Sequence, residues 1–272
     1  MENKQNLHIH STWSDGKHTT RELIEEAIAR GFASIGFSEH SYMYFSKYAK
    51  QFYISDMEDY KREVRALKEE YRGRIDIFCG LEFEYHSRVP MDGFDYLIGT
   101  VHYLDFDGEI RGFDRKLPEV QDFIRDNFGG DGMAFARRYF ETLCTLPEKG
   151  KFDILGHFDL LTKNNEQGHF IDTTDPKYLG MGLDAIHSLK GKIPLFEVNT
   201  GAIARGYRST PYPQPEFIKA FKECGFGAVI STDCHNKEFL DNNFEDALQL
   251  LEAAGFTTRW ILTDNGFKEV KL

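Results

Sequence analysis

Short apolar runs alternate with amphipathic stretches along the whole chain, the pattern of repeated βα units feeding a mostly parallel sheet. Seven runs read as strands: Asn6 to His10, Ala33 to Ser38, Ile75 to Glu82, Asp95 to His102, Phe152 to His157, Ile193 to Asn199 and Gly227 to Thr232. Helical spacing covers Thr20 to Ala29, Met57 to Tyr71, Gly132 to Leu146, Tyr178 to Leu189, Pro215 to Cys224 and Phe244 to Ala254. Thr20 with Glu22 and Glu25 suits a helix start, and Gly31 and Gly225 stand where C-terminal glycines belong. Three segments, Tyr42 to Ser55, Asp105 to Pro118 and Ala202 to Gln214, follow neither period. In a barrel they would be βα loops over one mouth.

A length of 272 residues fits one α/β barrel. With no linker, low-complexity tract or repeat to divide it, residues 1–272 are expected to form a single domain. Hydrophobic residues make up 41% and charged residues 28%, enough for a sizeable core in an ordinary soluble globule. The net charge of -11 argues against a surface that neutralises a nucleic-acid backbone, yet leaves room for a small anion in a local positive field. The start MENKQNLHIH has no apolar signal core and no later run approaches the roughly 20 residues that span a bilayer, so no membrane partner and a cytoplasmic location are expected. Cys79, Cys144, Cys224 and Cys234 have no CxxC spacing and read as reduced thiols. Oligomeric state is not legible.

Candidate chemistry gathers at the strand ends. In Leu7-His8-Ile9-His10 period-two alternation puts both imidazoles on one side and Ile9 on the other, a geometry that lets two ligands meet one ion. Asp233-Cys234-His235 repeats the device near the C-terminus. Glu39-His40, Glu82, His102 and His157 close four more of the strands, so six of the seven deliver an ionisable group. In a parallel barrel those ends converge on one face. Imidazole with carboxylate and no thiolate favours Zn, Mn or Fe over a cysteine site or an all-oxygen magnesium cage.

Taken in order, His8-Ile9-His10-Ser11 with Ser14-Asp15-Gly16, Ser38-Glu39-His40, Gly80-Leu81-Glu82, Val101-His102, Gly156-His157 and Ser231-Thr232-Asp233-Cys234-His235 resemble the motifs of the PHP (polymerase and histidinol phosphatase) superfamily. The resemblance spans nearly the whole chain. Its length, the aromatic loop after His40 and Phe196-Glu197-Val198-Asn199-Thr200 look most like the stand-alone histidinol-phosphate phosphatases. That likeness implies a distorted (β/α)7 barrel with the metal site at the C-terminal ends of the strands, three divalent metal ions, and hydrolysis of L-histidinol phosphate in histidine biosynthesis. It further implies that His8, His10, Glu82 and Asp233 hold the first ion, that Glu82 bridges to a second completed by His102 and His157, and that Asp15, His40 and His235 hold the third. Two positions depart from the family pattern, Glu39 where Asp is usual and Cys234 where a small residue is usual; both alternate away from the ligand face.

Chemically, a water shared by two divalent ions becomes a hydroxide nucleophile near neutral pH, with Glu82 holding the ions together. Arg205 or Arg208 is the candidate phosphate clamp, and Asp233 or a metal-site histidine is placed to guide a proton to the leaving alcohol. The competing readings are a phosphoesterase acting on a nucleotide or another small phosphate ester, and a metal-stabilised module without catalysis. His18, His169 and His187 read as a helix-start neighbour, a loop residue and a helix residue, and Arg111 as surface charge. His86 is either a substrate contact or exposed. Glu197 and Asn199 either complete the pocket, orient ligands or satisfy backbone groups, while Trp13, Tyr42, Tyr44, Phe45 and Tyr48 would cover the mouth.

Overall fold

The computed structural model describes residues 3–46, 53–54 and 56–272. All seven expected strands are present in one parallel sheet, in the order β1 (Gln5–Asn6), β2 (Ser34–His40), β3 (Asp76–Glu84), β4 (Tyr96–Thr100), β7 (Ile154–Leu155), β8 (Leu195–Asn199) and β9 (Gly227–Ser231). The first and last members meet just beyond their named ends. Ile9 bridges Cys234 in parallel, the His10 amide donates to the Cys234 carbonyl at 2.8 Å, and the Cys234 amide donates to the His8 carbonyl at 3.0 Å. These contacts close the sheet into a barrel.

Alternation divides the core in two. Ile35, Phe37, Ile77, Leu81, Phe196, Val198, Ala228 and Ile230 face outward beneath the helices, whereas Leu7, Phe78, Tyr96, Ile98, Ile154, Leu195 and Val229 fill the lumen. Tyr96 is the largest side chain of that inner cluster, and Gly36 and Gly80 leave the space its ring occupies; its hydroxyl donates to the Leu7 carbonyl at 2.5 Å.

Among the described residues the α-helices are α1 (Thr20–Ala29), α2 (Met57–Glu70), α3 (Leu117–Phe128), α4 (Gly132–Cys144), α5 (Asn165–Gly168), α6 (Pro176–Leu189), α7 (Gly201–Ala204), α8 (Pro215–Cys224) and α9 (Phe244–Ala253). No helix follows β3: residues 85–95 turn directly into β4, which distorts the regular βα repeat. α1 starts at Thr20 as expected, and Thr19 before it is the cap, forming a reciprocal capping box with Glu22. Gly31 and Gly225 have φ of 72° and 84°, the left-handed conformation expected of them.

Two hairpins, α3 and the one-turn helices α5 and α7 were not expected from the pattern. The segment after β4 is a hairpin, β5 (Tyr103–Phe106) and β6 (Glu109–Gly112), followed at once by α3. The chain ends in another hairpin, β10 (Thr258–Thr263) and β11 (Gly266–Lys271). Gln5 binds both the carbonyl and the amide of Leu262, each at 2.8 Å, and Leu262, Trp260 and Phe267 pack on the inner cluster. This hairpin covers the end of the barrel where the strands begin, leaving the C-terminal end for the loops. No described helix is long and apolar enough to cross a membrane.

Candidate metal centre

The C-terminal end of every strand except β8 delivers a side chain to one buried cluster. His8 and His10 lie on the extension of β1, His40 ends β2, Glu82 is in β3, His102 and His157 follow β4 and β7 by two residues, and Asp233 and His235 follow β9. Asp15 arrives from the turn after His10. Glu39 shapes that turn: its carboxylate accepts from the Ser11 amide at 3.0 Å, the Ser11 hydroxyl at 2.6 Å and the Ser14 hydroxyl at 2.5 Å. A side chain at Gly16 would collide with the His10 carbonyl. The departure at Glu39 therefore has a use, since the longer acid reaches under the turn. Burial pushes its carboxyl up to about 7 against the pull of those donors. Asp233 sits at φ 44°, a conformation few non-glycine residues adopt and one that tends to mark working sites.

Glu82 is the centre of the cluster. Its Oε1 lies 3.0 Å from His157 Nε2, 3.4 Å from His102 Nε2 and 3.5 Å from His8 Nε2; its Oε2 lies 2.5 Å from His40 Nδ1 and 3.6 Å from His10 Nε2. Asp233 Oδ1 stands 3.2 Å from His10 Nε2, 3.6 Å from His8 Nε2 and 3.5 Å from His235 Nδ1. Asp15 Oδ1 lies 3.2 Å from His235 Nε2 and 3.4 Å from His40 Nε2. Three sets of side chains present atoms close enough to share an ion: His8, His10 and Asp233; His8, Glu82 and His157; and His10, Asp15, His40 and His235. His102 is outside these sets and reaches the cluster through Glu82.

Hydrogen bonding alone leaves this arrangement incomplete. His8 Nδ1 lies 2.9 Å from the Glu197 carboxylate and His102 Nδ1 lies 2.9 Å from that of Glu84, so each of these nitrogens donates to its carboxylate and the Nε2 of each ring is turned toward Glu82. In the neutral form that metal ligation requires, that Nε2 offers a lone pair. Accordingly His8 Nε2, His10 Nε2, Glu82 Oε2, Asp15 Oδ1 and Asp233 Oδ1 are buried without a hydrogen-bond partner. Divalent cations held by those sets would satisfy them, so the donor set fits metal ions.

Burial opposes protonation of His8, His40 and His102, but the surrounding carboxylates raise all three above the usual imidazole value. Burial opposes ionisation of Glu82, but His40, His8 and His102 hold its carboxyl well below the usual range. Asp233 is likewise held low, burial being outweighed by Arg205, His8, His10 and His235. His10, buried beside His40 and His235, is pushed down to about 3 and stays neutral, the form a metal ligand requires.

The remaining barrel strand, β8, contributes the support. Glu197, in β8, accepts from the His157 amide at 2.6 Å, the Asn199 side chain at 2.9 Å and the Ser231 hydroxyl at 2.6 Å, besides orienting His8. Glu84 holds both the amide of His102, at 2.7 Å, and its ring. Of the two arginines weighed as phosphate clamps, Arg205 donates to the Asp233 carbonyl at 2.9 Å and to its carboxylate at 2.7 Å, while its buried Nε has no acceptor. Arg208 is a correction: the structure does not bring it to the cluster. Its guanidinium is buried 3.6 Å from Asp159, donates to Thr162 and the Pro211 carbonyl, and stacks 4.4 Å over Tyr212.

A cavity of about 180 Å³ opens above the cluster, lined by Asp15, His40 and His102 below and by Met43, Tyr53, Tyr103, Gly112, Asp114 and Arg115 around it. Asp114 and Arg115 were missed in the sequence because they follow the unrecognised hairpin. Among the aromatics expected at the mouth, Phe45 packs on Tyr103 at 5.1 Å and Trp13 packs on Tyr60 at 6.1 Å; Tyr48 lies outside the described residues. His86 sits instead in a separate polar recess with Asp105, Arg138 and Lys149. His18 pairs with Asn236 and Arg111 with Glu109, away from the cluster.

Residues 6–179 match the model of the PHP domain. Over 255 residues the chain is 29% identical to a Deinococcus radiodurans protein named a probable histidinol-phosphatase, with 88% of this chain and 89% of that one covered. A Schizosaccharomyces pombe protein of the same name is 26% identical over 270 residues, covering 87% and 81%. By structure, the chain matches histidinol phosphate phosphatase from Lactococcus lactis subsp. lactis, solved with Zn, L-histidinol and phosphate, with a TM-score of 0.74 at 19% identity over 98% of this chain and 99% of that one. That likeness shows a shared fold.

Proposed function

Because the chain belongs to the PHP-domain family, we propose that it is a phosphatase that hydrolyses L-histidinol phosphate to L-histidinol and phosphate, a step of histidine biosynthesis, with three divalent ions (Zn, Mn or Fe) in its barrel mouth. The observation that carries the metal dependence is the set of buried imidazole nitrogens and carboxylate oxygens that face one another without a hydrogen-bond partner. The substrate reading draws on the names of the relatives and on the size and polarity of the cavity.

In this reading His8, His10, Glu82 and Asp233 hold one ion, Glu82, His102 and His157 a second, and Asp15, His40 and His235 a third. When bound, such ions lower the pKa of water and neutralise charge on phosphoryl oxygens. The rest of the work falls to the chain itself. Glu82, anchored among five imidazoles, keeps the ligands of neighbouring ions in one rigid unit. Arg205 is braced on Asp233 and retains an unused N–H to place on a phosphoryl oxygen. Asp233 sits where it can relay a proton to the departing alcohol through ordered water. Glu197 and Glu84 keep the rings of His8 and His102 in the tautomer that ligation needs.

The test is metal content followed by kcat/KM on L-histidinol phosphate, a nucleotide panel and an aryl phosphate, with Mn- and Zn-reconstituted protein. A preference of about a hundredfold for L-histidinol phosphate, roughly 2.7 kcal/mol of transition-state discrimination, supports the reading. Equal turnover across the panel overturns the substrate, and metal-dependent stability without hydrolysis of any ester overturns the enzyme.

A further inference from the structure

The cavity above the cluster holds one carboxylate that the proposed reaction leaves unused. Asp114 stands just beyond β6, where the backbone is pinned from two sides: the Phe113 amide donates to the His102 carbonyl at 3.1 Å, and the Asn164 side chain donates to the Arg115 carbonyl at 2.9 Å. Asp114 is thereby fixed at the cavity wall beside His102. Lys163 donates to its Oδ1 at 2.6 Å and is itself held over the Tyr207 ring at 4.6 Å. No described group donates to Oδ2.

A substrate whose phosphoryl group lies on the cluster must extend its organic part into this space. At about 180 Å³ the cavity has room for a small alcohol. Its walls are the Tyr53 and Tyr103 rings, Met43, Arg115 and the Asp114 carboxylate. A protonated amine reaching Oδ2 gains a charge-assisted hydrogen bond in a partly dry site. A substrate without the amine leaves that oxygen with water alone. Because Lys163 already occupies Oδ1, the carboxylate takes one ammonium group, from one direction.

Resting on the phosphatase reading above, we propose that Asp114 is a specificity-determining residue, whose Oδ2, engaged by no described group, receives the ammonium group of a small amino-alcohol phosphate seated in the cavity. The substrate class follows as phosphate monoesters that carry a primary amine on a short chain.

Two matched pairs test this on the metal-loaded protein: L-histidinol phosphate against its des-amino analogue, and O-phosphoethanolamine against ethyl phosphate. Calorimetric binding of L-histidinol against the des-amino alcohol gives a readout independent of turnover. The parent prefers the amine-bearing member, and Asp114→Asn reduces that preference by about thirtyfold, the worth of one hydrogen bond to a charged group. Lys163→Met, which keeps the carboxylate, retains or raises the preference. No amine preference in the parent overturns the proposal, as does equal loss by Asp114→Asn on both members of each pair, or loss of the preference in Lys163→Met. If L-histidinol phosphate is not turned over but the phosphoethanolamine pair shows an amine preference that Asp114→Asn removes, the histidinol reading falls and the assignment of Asp114 stands.

Discussion

Glu197 couples two members of the cluster that come from opposite sides of the barrel: one carboxylate oxygen lies 2.9 Å from the ring Nδ1 of His8 and the other accepts the backbone amide of His157 at 2.6 Å. Ser231 and Asn199 donate to the same carboxylate. All its lone pairs are directed at donors, and burial is offset by His8 and His157, which keep it ionised. Glu197→Gln puts an NH2 group against at least one of those donors. The expected result is a loss of metal affinity of about ten- to a hundredfold with little change in fold, since supporting partners of metal ligands carry effects of that size. Chelator competition measures the affinity and circular dichroism the fold; unchanged affinity would show that His8 is oriented by packing alone.

Much of this was legible in the sequence because the signals were local. Alternation in His8-Ile9-His10 places both imidazoles in the site and Ile9 in the outer core, as period-two geometry requires. The strands were found because their buried runs are apolar over several residues. The hairpins were not, although Asp107-Gly108 and Asn265-Gly266 are turn signals; Asp107 and Gly108 have φ of 53° and 92°, the left-handed pair that a two-residue hairpin needs. The strands flanking Asp107 mix charged and aromatic residues, so no hydrophobic period marked them, and α3 was hidden behind them despite Pro118 and the spacing of Val120, Phe123 and Ile124. Arg208 was misplaced for another reason. From sequence, an arginine that clamps phosphate and one buried against Asp159 look alike, because only the fold brings residue 159 to residue 208.

The lumen makes a packing prediction. Gly80 faces the Tyr96 ring so closely that an added Cβ would fall against the ring carbons. Gly80→Ala is expected to cost about 1–3 kcal/mol of stability, the range for overpacking a filled core. In a Tyr96→Leu background the same change should cost much less, because the clash is with that ring. Urea unfolding of the four proteins gives the coupling. Equal cost in both backgrounds would place the strain in the β3 backbone instead.

At the seam where the barrel closes, Asp241 accepts from Lys4 and from Arg30 at 2.7 Å, joining the start of β1 and the end of α1 to the segment after β9. Burial raises its carboxyl pKa, but Lys4 and Arg30 together outweigh burial and hold it below the usual value. A carboxylate lowered in the folded state stabilises the protein above its unfolded pKa near 4, and that contribution fades as pH falls through the lower folded value. The stability gap between the parent and Asp241→Asn should therefore be constant from about pH 7 to 5 and narrow below about pH 4. Chemical denaturation across that range checks it. A gap that widens toward acid would mean that Asp241 acts through packing rather than charge.

The number of ions turns on the contrast between Glu82 and His235. Glu82 stands within 3.6 Å of five imidazoles from four strand ends, whereas His235 lies at the edge, with Asp15 at 3.2 Å and Asp233 as its carboxylate neighbours. Removing a peripheral ligand should empty one site and leave the others, so His235→Ala is expected to retain about two ions per chain. Glu82→Gln withdraws charge from the shared centre and should lower the content further, with kcat reduced by about a hundredfold or more. Elemental analysis of protein reconstituted with Zn or Mn decides the matter. Equal metal loss in the two variants would contradict a division of the cluster into separate sites, and undiminished content in Glu82→Gln would remove Glu82 from the ligand set.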